Sequence, residues 1–192
     1  MGTPEMFTQF PTLETPRLTL RQIVPGDAKA LFATFSDPAV MEFYGDPPHR
    51  SMEDSRDLIQ RQEQWYTRRE GIRWGITIIG AEDPVIGSCG FFLFDEEFRR
   101  AEMGYELAQA YWRQRIMREA LGAIITYAFA NTDLHRIETV VNGANEPSQA
   151  LLLTLGFTLE GTLRQRFYFA DRYWDDLYFG LLKDEWRARA AF

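Results

Sequence analysis

Three arginines crowd one junction of this sequence. Arg113, Arg115 and Arg118 stand where the alternating run Ala101-Glu102-Met103-Gly104-Tyr105-Glu106-Leu107 gives way, through Tyr111-Trp112, to the helical spacing of 116–130. A strand fed through a tight loop into a helix N-terminus is a general way to hold a phosphate. The first backbone N–H groups of a helix have no internal partner, and its dipole favours an anion there. Cationic side chains at that end oppose the dipole by about 0.3–1 kcal/mol each, so a cluster of them makes more sense if an anion compensates it. The pattern alone is weak, because many such junctions bind nothing. A second constellation is Asn145-Glu146-Pro147-Ser148, ahead of Leu151–Leu155 and Gly156. By residue type, Asn145 reads as a turn residue or helix cap and Ser148 as an early-helix residue.

Composition narrows the chemistry. The chain has 192 residues and a formal net charge of -7, so no bulk attraction to nucleic acid is expected, while a cationic or amine-bearing substrate would be steered in. Cys89 is the only cysteine and His49 and His135 the only histidines. That excludes an internal disulfide and makes a Cys/His zinc site implausible; no metal is expected, although counting alone leaves a carboxylate-only site open. Cys89, in an apolar run, reads as core, and His135 also has a structural reading. The N-terminus lacks a basic, then apolar, leader pattern, and no run reaches about 18 apolar residues. The expected location is the cytoplasm, with no membrane partner; a homodimer is left open.

The elements that must position these residues follow from periodicity. Residues 17–23 alternate as a strand, and Pro25-Gly26-Asp27 opens a short helix to Phe35 that ends at Ser36-Asp37-Pro38. Ser51, with Asp54 three residues on, caps a helix to about Glu70 whose buried stripe is Leu58, Ile59, Trp65 and Tyr66. Strands are expected at 72–79, 85–94 and 101–107, with a turn at Asp83-Pro84. A buried helix at 116–130, a strand at 136–142 and a helix at 146–155 stopped by Gly156 come next. A long hairpin, 157–170 and 175–182, closes the chain across Asp171-Arg172-Tyr173. No linker or repeat divides this order. It predicts one α+β domain over residues 1–192, with residues 1–12 a loosely ordered extension and a mixed, largely antiparallel sheet.

Order and wording together resemble the GNAT acyltransferase family, and within it the ribosomal-protein alanine N-acetyltransferase-like group. The match begins at Leu13-Glu14-Thr15-Pro16-Arg17-Leu18. It continues through the 101–107 run, Tyr111-Trp112, Met117-Arg118-Glu119-Ala120-Leu121 and Leu134-His135-Arg136-Ile137-Glu138. It ends with Asn145-Glu146-Pro147-Ser148, Leu155-Gly156-Phe157, Glu160-Gly161, Asp176-Leu177-Tyr178 and Glu185-Trp186. No single motif is decisive, but in order they cover about residues 13 to 187.

The resemblance implies a GNAT fold whose central sheet, flanked by helices, is splayed between the strands at 101–107 and 136–142. It implies acetyl-CoA as cosubstrate in that gap and a primary amine, on a protein N-terminus or a small molecule, as acceptor. The pantetheine would pair with the backbone of Tyr105, Glu106 and Leu107. The pyrophosphate would rest on the loop Arg113, Gln114, Arg115, Ile116, Met117 and Arg118, with Asn145 and Ser148 flanking the thioester end. Ser148 matches the position that donates to the departing thiolate in the resembling group. Other members use a tyrosine on this helix, where Leu152 stands here. Attack on a thioester needs a neutral amine and a donor for the carbonyl oxygen. Glu102, with Glu138 behind it, is the candidate base; pairing with Arg100 or Arg136 is the structural reading of either.

One departure matters. The family usually has glycine at the positions of Arg113 and Arg115, where the backbone approaches the pyrophosphate and visits φ > 0. Two readings stay open: arginines that help hold phosphate, or a blocked loop on a non-catalytic binding protein. A nucleic-acid-binding module using the same cluster fits poorly with the acidic total charge.

Overall fold

The computed structural model describes residues 5–80 and 84–190. Strands β1 (Leu13–Glu14), β2 (Leu18–Gln22), β3 (Gly71–Ile78), β4 (Gly87–Asp95), β5 (Arg100–Leu107), β6 (Arg136–Asn142), β7 (Thr158–Phe169) and β8 (Arg172–Leu182) form one sheet, ordered β1-β2-β3-β4-β5-β6-β8-β7. Helices α1 (Ala28–Phe35), α2 (Pro38–Met41), α3 (Met52–Thr67), α4 (Ile116–Asn131), α5 (Glu146–Leu155) and α6 (Lys183–Ala190) accompany it. Every neighbouring pair of strands is antiparallel except β5–β6. This is the mixed, largely antiparallel α+β arrangement that the sequence predicts.

Alternation along β3 shows how the layers form. Ile72, Trp74 and Ile76 are buried in a large cluster with Ala120, Leu121, Ile124 and Ile125 of α4. On the opposite face, Gly75 lies against Ile23 and Val85, where a Cβ would stand only 2.9 Å from Ile23 Cγ1. That face carries a smaller cluster of Leu31, Phe35, Met41, Leu58 and Ile59 from α1, α2 and α3. The sheet is therefore sandwiched, as period-2 strands with two apolar faces require.

Local signals set the helix ends. Asp54 Oδ2 accepts from the N–H groups of Ser51 (2.9 Å) and Arg50 (2.7 Å), and Ser51 Oγ accepts from Asp54 N–H (3.4 Å). This is the reciprocal cap expected for α3. Gly156 stops α5 with φ +93°, a left-handed geometry that glycine adopts without a Cβ clash. Asp37 does more than end α1: its side chain accepts from Ala39 N–H at 2.9 Å, and Pro38 occupies the first turn of the unexpected α2.

Several expectations are corrected. Trp65 is 38% exposed and does not join the buried stripe of α3. The segment before β1 is not a loose extension: Met6, Phe7 and Phe10 pack into or against the core. Met6 is buried, Tyr66 Oη donates to Met6 O at 2.9 Å, and Trp74 Nε1 donates to Pro11 O at 2.7 Å. The final hairpin turns at Ala170 and Asp171, both with positive φ (53° and 59°). Two successive left-handed residues match the right-handed strand twist, so β8 starts at Arg172, earlier than expected. Asp83, half of the expected turn at Asp83-Pro84, lies outside the described residues, as do residues 1–4.

Candidate functional site

The site begins where the sheet comes apart. β5 and β6 share only three positions: Arg100 with Arg136, Ala101 with Ile137, and Glu102 with Glu138. Beyond them β5 stays with β4 as far as Leu107, and β6 stays with β8 as far as Asn142. Residues 103–107 and 139–142 therefore diverge as the two walls of a gap. Arg99 O accepts from Arg136 N–H (3.2 Å) and His135 N–H (2.8 Å), so odd-numbered β5 residues turn their main-chain groups towards β6. Because these groups alternate along a strand, Met103, Tyr105 and Leu107 direct theirs into the gap. Leu107 O is already taken by Trp112 Nε1 at 2.7 Å.

The side chains of β5 alternate across the sheet. Tyr105 reaches α5, where its hydroxyl is 2.6 Å from Ser148 Oγ. Asn145 caps α5 by accepting from Ser148 N–H at 3.1 Å, which fixes the backbone that carries this hydroxyl. Burial pushes the Tyr105 hydroxyl up to about 12, offset only in part by its bond to Ser148. It stays protonated at working pH and can donate to Ser148 Oγ, leaving the serine proton for another acceptor. Leu152, further along α5, is fully buried and brings no polar group.

Glu106 points the other way. Its carboxylate is buried against Arg73 and the Ser88 hydroxyl, so its side chain does not face the gap. Burial disfavours the Arg73 charge, yet Glu106 beside it holds the guanidinium's pKa above its ordinary value. Cys89 is core, as read from sequence, with its thiol pushed up to about 12 by burial.

Glu102 and Glu138 meet at the last shared position of β5 and β6. Glu138 is paired with Arg136 (2.7 Å) and Arg100 (3.4 Å), whereas Glu102 has no ion-pair partner among the described residues. Burial first, and the Glu138 charge second, raise the Glu102 carboxyl above its ordinary range.

At the far end, the loop into α4 is fixed from both sides. Arg17 Nη1 donates to Gln114 O (3.1 Å), and Gln114 Nε2 donates to Ala110 O (3.0 Å). Glu119 in the first turn accepts from Thr15 Oγ1 (2.6 Å) and Arg17 Nε (2.7 Å). Arg113 and Arg115 hold φ at 59° and 61°, left-handed values that favour glycine. Their side chains, and that of Arg118, are exposed, while Ile116 and Met117 are buried in the core and offer only backbone.

Sequence reasoning missed two parts. It assigned Tyr105 for its backbone and not for its hydroxyl, whose partner lies 43 positions away. It also passed over Arg73, although a charge in the otherwise apolar run 71–78 is a signal that something inside must balance it. Among the described residues no group of His, Cys, Asp and Glu could hold a metal, and no helix is long and apolar enough to cross a membrane.

Residues 17–158 match the family described as Acetyltransferase (GNAT) domain. The chain is 42% identical to Uncharacterized N-acetyltransferase YoaA of Bacillus subtilis (strain 168) over 159 residues, covering 83% of this chain and 89% of that protein. It is 30% identical to the ribosomal-protein-serine acetyltransferase of Escherichia coli (strain K12) over 126 residues, 66% of this chain and 69% of that one. A solved structure described as a probable acetyltransferase superposes with a TM-score of 0.82 at 28% identity, over 93% of this chain and 100% of the other.

Proposed function

Because the chain belongs to the GNAT acetyltransferase family, we propose that it moves the acetyl group of acetyl-CoA directly onto a primary amine, with the cosubstrate lying in the β5–β6 gap. The observation that carries this reading is the three-position pairing of β5 and β6. It leaves Met103 and Tyr105 with inward main-chain groups that an extended amide-bearing chain such as pantetheine can pair with. The acceptor is a protein N-terminus or a small amine.

The chemistry distributes over named residues. Glu102, unpaired and with a raised pKa, takes the proton of the incoming ammonium, directly or through water. The neutral nitrogen attacks the thioester carbon, and an inward N–H of β5 stabilises the charge on its oxygen. The C–S bond breaks and the thiolate receives the Ser148 proton while Tyr105 holds Ser148 Oγ by a hydrogen bond. The attacking nitrogen's second proton is lost to water, and water returns a proton to Ser148. The helix start at Arg115–Arg118 receives the pyrophosphate.

Calorimetry with acetyl-CoA, followed by thiol release with an amine panel, tests this. One bound cosubstrate and release with at least one amine are expected. Absence of binding both in the wild type and after Arg113→Gly with Arg115→Gly would overturn it.

Arg115→Gly carries its own prediction. A left-handed non-glycine residue is strained by about 1–2 kcal/mol, so the variant should unfold at higher temperature and bind acetyl-CoA more tightly. A fall in affinity that shrinks at high salt would make Arg115 a phosphate ligand instead.

Glu102→Gln should change the pH profile of kcat/KM. The wild-type carboxyl holds its proton to higher pH than an ordinary glutamate, so its rate falls as pH drops through that raised value. The glutamine variant loses most in the range above it where the acceptor is still protonated, and recovers as the amine deprotonates unaided. Profiles that differ by a constant factor at every pH would remove Glu102 from proton transfer.

A further inference from the structure

On the sheet face opposite α4, a cavity of about 580 Å³ lies between α3, the segment leading into it, and strands β3 and β4. Much of its wall is apolar or aromatic: Phe35, Met41, Leu58, Trp65 and Phe92. Its charges are unbalanced. Asp46, Asp54 and Asp57 face Arg61, while the other cation, Arg73, is already neutralised by Glu106. Such a lining favours a cation but would not by itself make a site, since Asp54 also serves the cap of α3.

The independent observation is Gln62. This side chain lines the cavity from α3 and is only 9% exposed. Its Oε1 has no hydrogen-bond partner. Buried polar atoms in folded proteins are nearly always paired, so an orphaned acceptor on a cavity wall marks where an N–H donor belongs. The cavity wall also borders the strand that carries Glu102. Phe92, on its wall, stands opposite Glu102 in the β4–β5 register. A Cβ placed on Gly104 would lie 3.0 Å from the Phe92 ring, so the wall and β5 are in contact.

We infer that this cavity selects a linear aliphatic diamine, whose reacting amino group lies at Glu102 and whose second, ammonium end donates to Gln62 Oε1. The inference rests on the acetyl-transfer reading for its first half only. An ammonium carries three donors and no acceptor, which suits a lone carbonyl oxygen. The methylenes between the two nitrogens lie on Leu58, Trp65 and Phe92, and the aspartates hold the second charge. An acceptor carrying a carboxylate beside its amine meets the same aspartates as like charges. In the reaction one N–C bond forms at the near nitrogen, the thioester C–S bond breaks, and the far ammonium keeps its proton throughout.

The intact protein, without acetyl-CoA, is titrated calorimetrically with 1,6-diaminohexane and with hexylamine at two ionic strengths. The diamine is expected to bind at least about tenfold more tightly, with an advantage that narrows as salt screens the aspartates. Gln62→Leu should cut diamine affinity about tenfold and leave hexylamine unchanged. Gln62→Glu, which keeps an acceptor, should retain the preference, and Asp57→Asn should weaken it in a salt-dependent way. Equal affinity for the two amines, or a diamine preference unaffected by Gln62→Leu, overturns the inference. In the second case a water in the recess of about 10 Å³ beside Gln62 is the partner of Oε1. Diamine binding without thiol release in the presence of acetyl-CoA overturns the acetyl-transfer reading and leaves the binding site standing.

Discussion

Ser148→Ala is expected to lower kcat about 100-fold while leaving the KM for acetyl-CoA close to the wild-type value. The proposed serine proton matters only as the C–S bond breaks, so its loss is felt in the transition state and not in the bound ground state. The cap geometry supports a clean experiment. Asn145 accepts from the backbone N–H of residue 148, so α5 keeps its start when the hydroxyl is removed. What does change is Tyr105, whose buried hydroxyl loses its partner at 2.6 Å. Tyr105→Phe is therefore the necessary companion: it keeps Ser148 but removes the donor that orients it, and a smaller fall in kcat is expected. A leaving thiol of lower pKa, in an acetyl-thioester analogue, should rescue Ser148→Ala because less protonation is needed. An unchanged kcat in Ser148→Ala would return the serine to the role of an early-helix residue.

Arg73→Met should destabilise the fold by about 3–5 kcal/mol, the usual effect of leaving a buried carboxylate without its counter-charge. Glu106 is buried between Arg73 and Ser88, with Tyr44 beside it, so removing the guanidinium strips its carboxylate of its counter-charge. Ser88 Oγ, which also accepts from Arg73 Nε at 2.6 Å, loses that bond too. The double variant Arg73→Met with Glu106→Leu should recover much of the loss, because two apolar side chains of similar size remove both the charge and the need to balance it. Chemical denaturation of the two single variants and the double variant measures this. Equal stability of Arg73→Met and the wild type would show that Glu106 is neutral in the fold.

What the sequence could and could not reveal divides along the distance over which residues act. Ser51 with Asp54, and Gly156 after Leu155, are local signals, and both helix ends fall where those residues put them. The pattern at 101–107 and 136–142 located two strands almost to the residue, while the gap between them came from the family resemblance alone. Nothing local distinguishes Tyr105 from Glu106 as neighbours on one strand, yet one meets Ser148 and the other Arg73, on opposite faces. The direction of that alternation is set by which face α4 covers, a tertiary fact. Trp65 has the spacing of a core residue but overhangs the cavity instead, because α3 extends past the small cluster that buries Leu58 and Ile59. The packing of Met6 was hidden for the same reason: its partner Tyr66 is 60 positions away.

The divergence of β5 from β6 also bears on how the protein avoids sticking to itself. Unpaired strand margins invite pairing with other chains, and proteins usually blunt them with charge, proline or a covering element. Here the unpaired margin of β5 lies inside the molecule, with β6 held opposite it by a full ladder to β8. A second sheet cannot dock there, since β6 already stands on the far side. On the proposed reading a single extended chain enters from the open end and pairs with the main-chain groups of Met103 and Tyr105. The hydrogen-bonding rail of β5 is thus accessible only to slender partners and shielded from the broad ones that lead to aggregates.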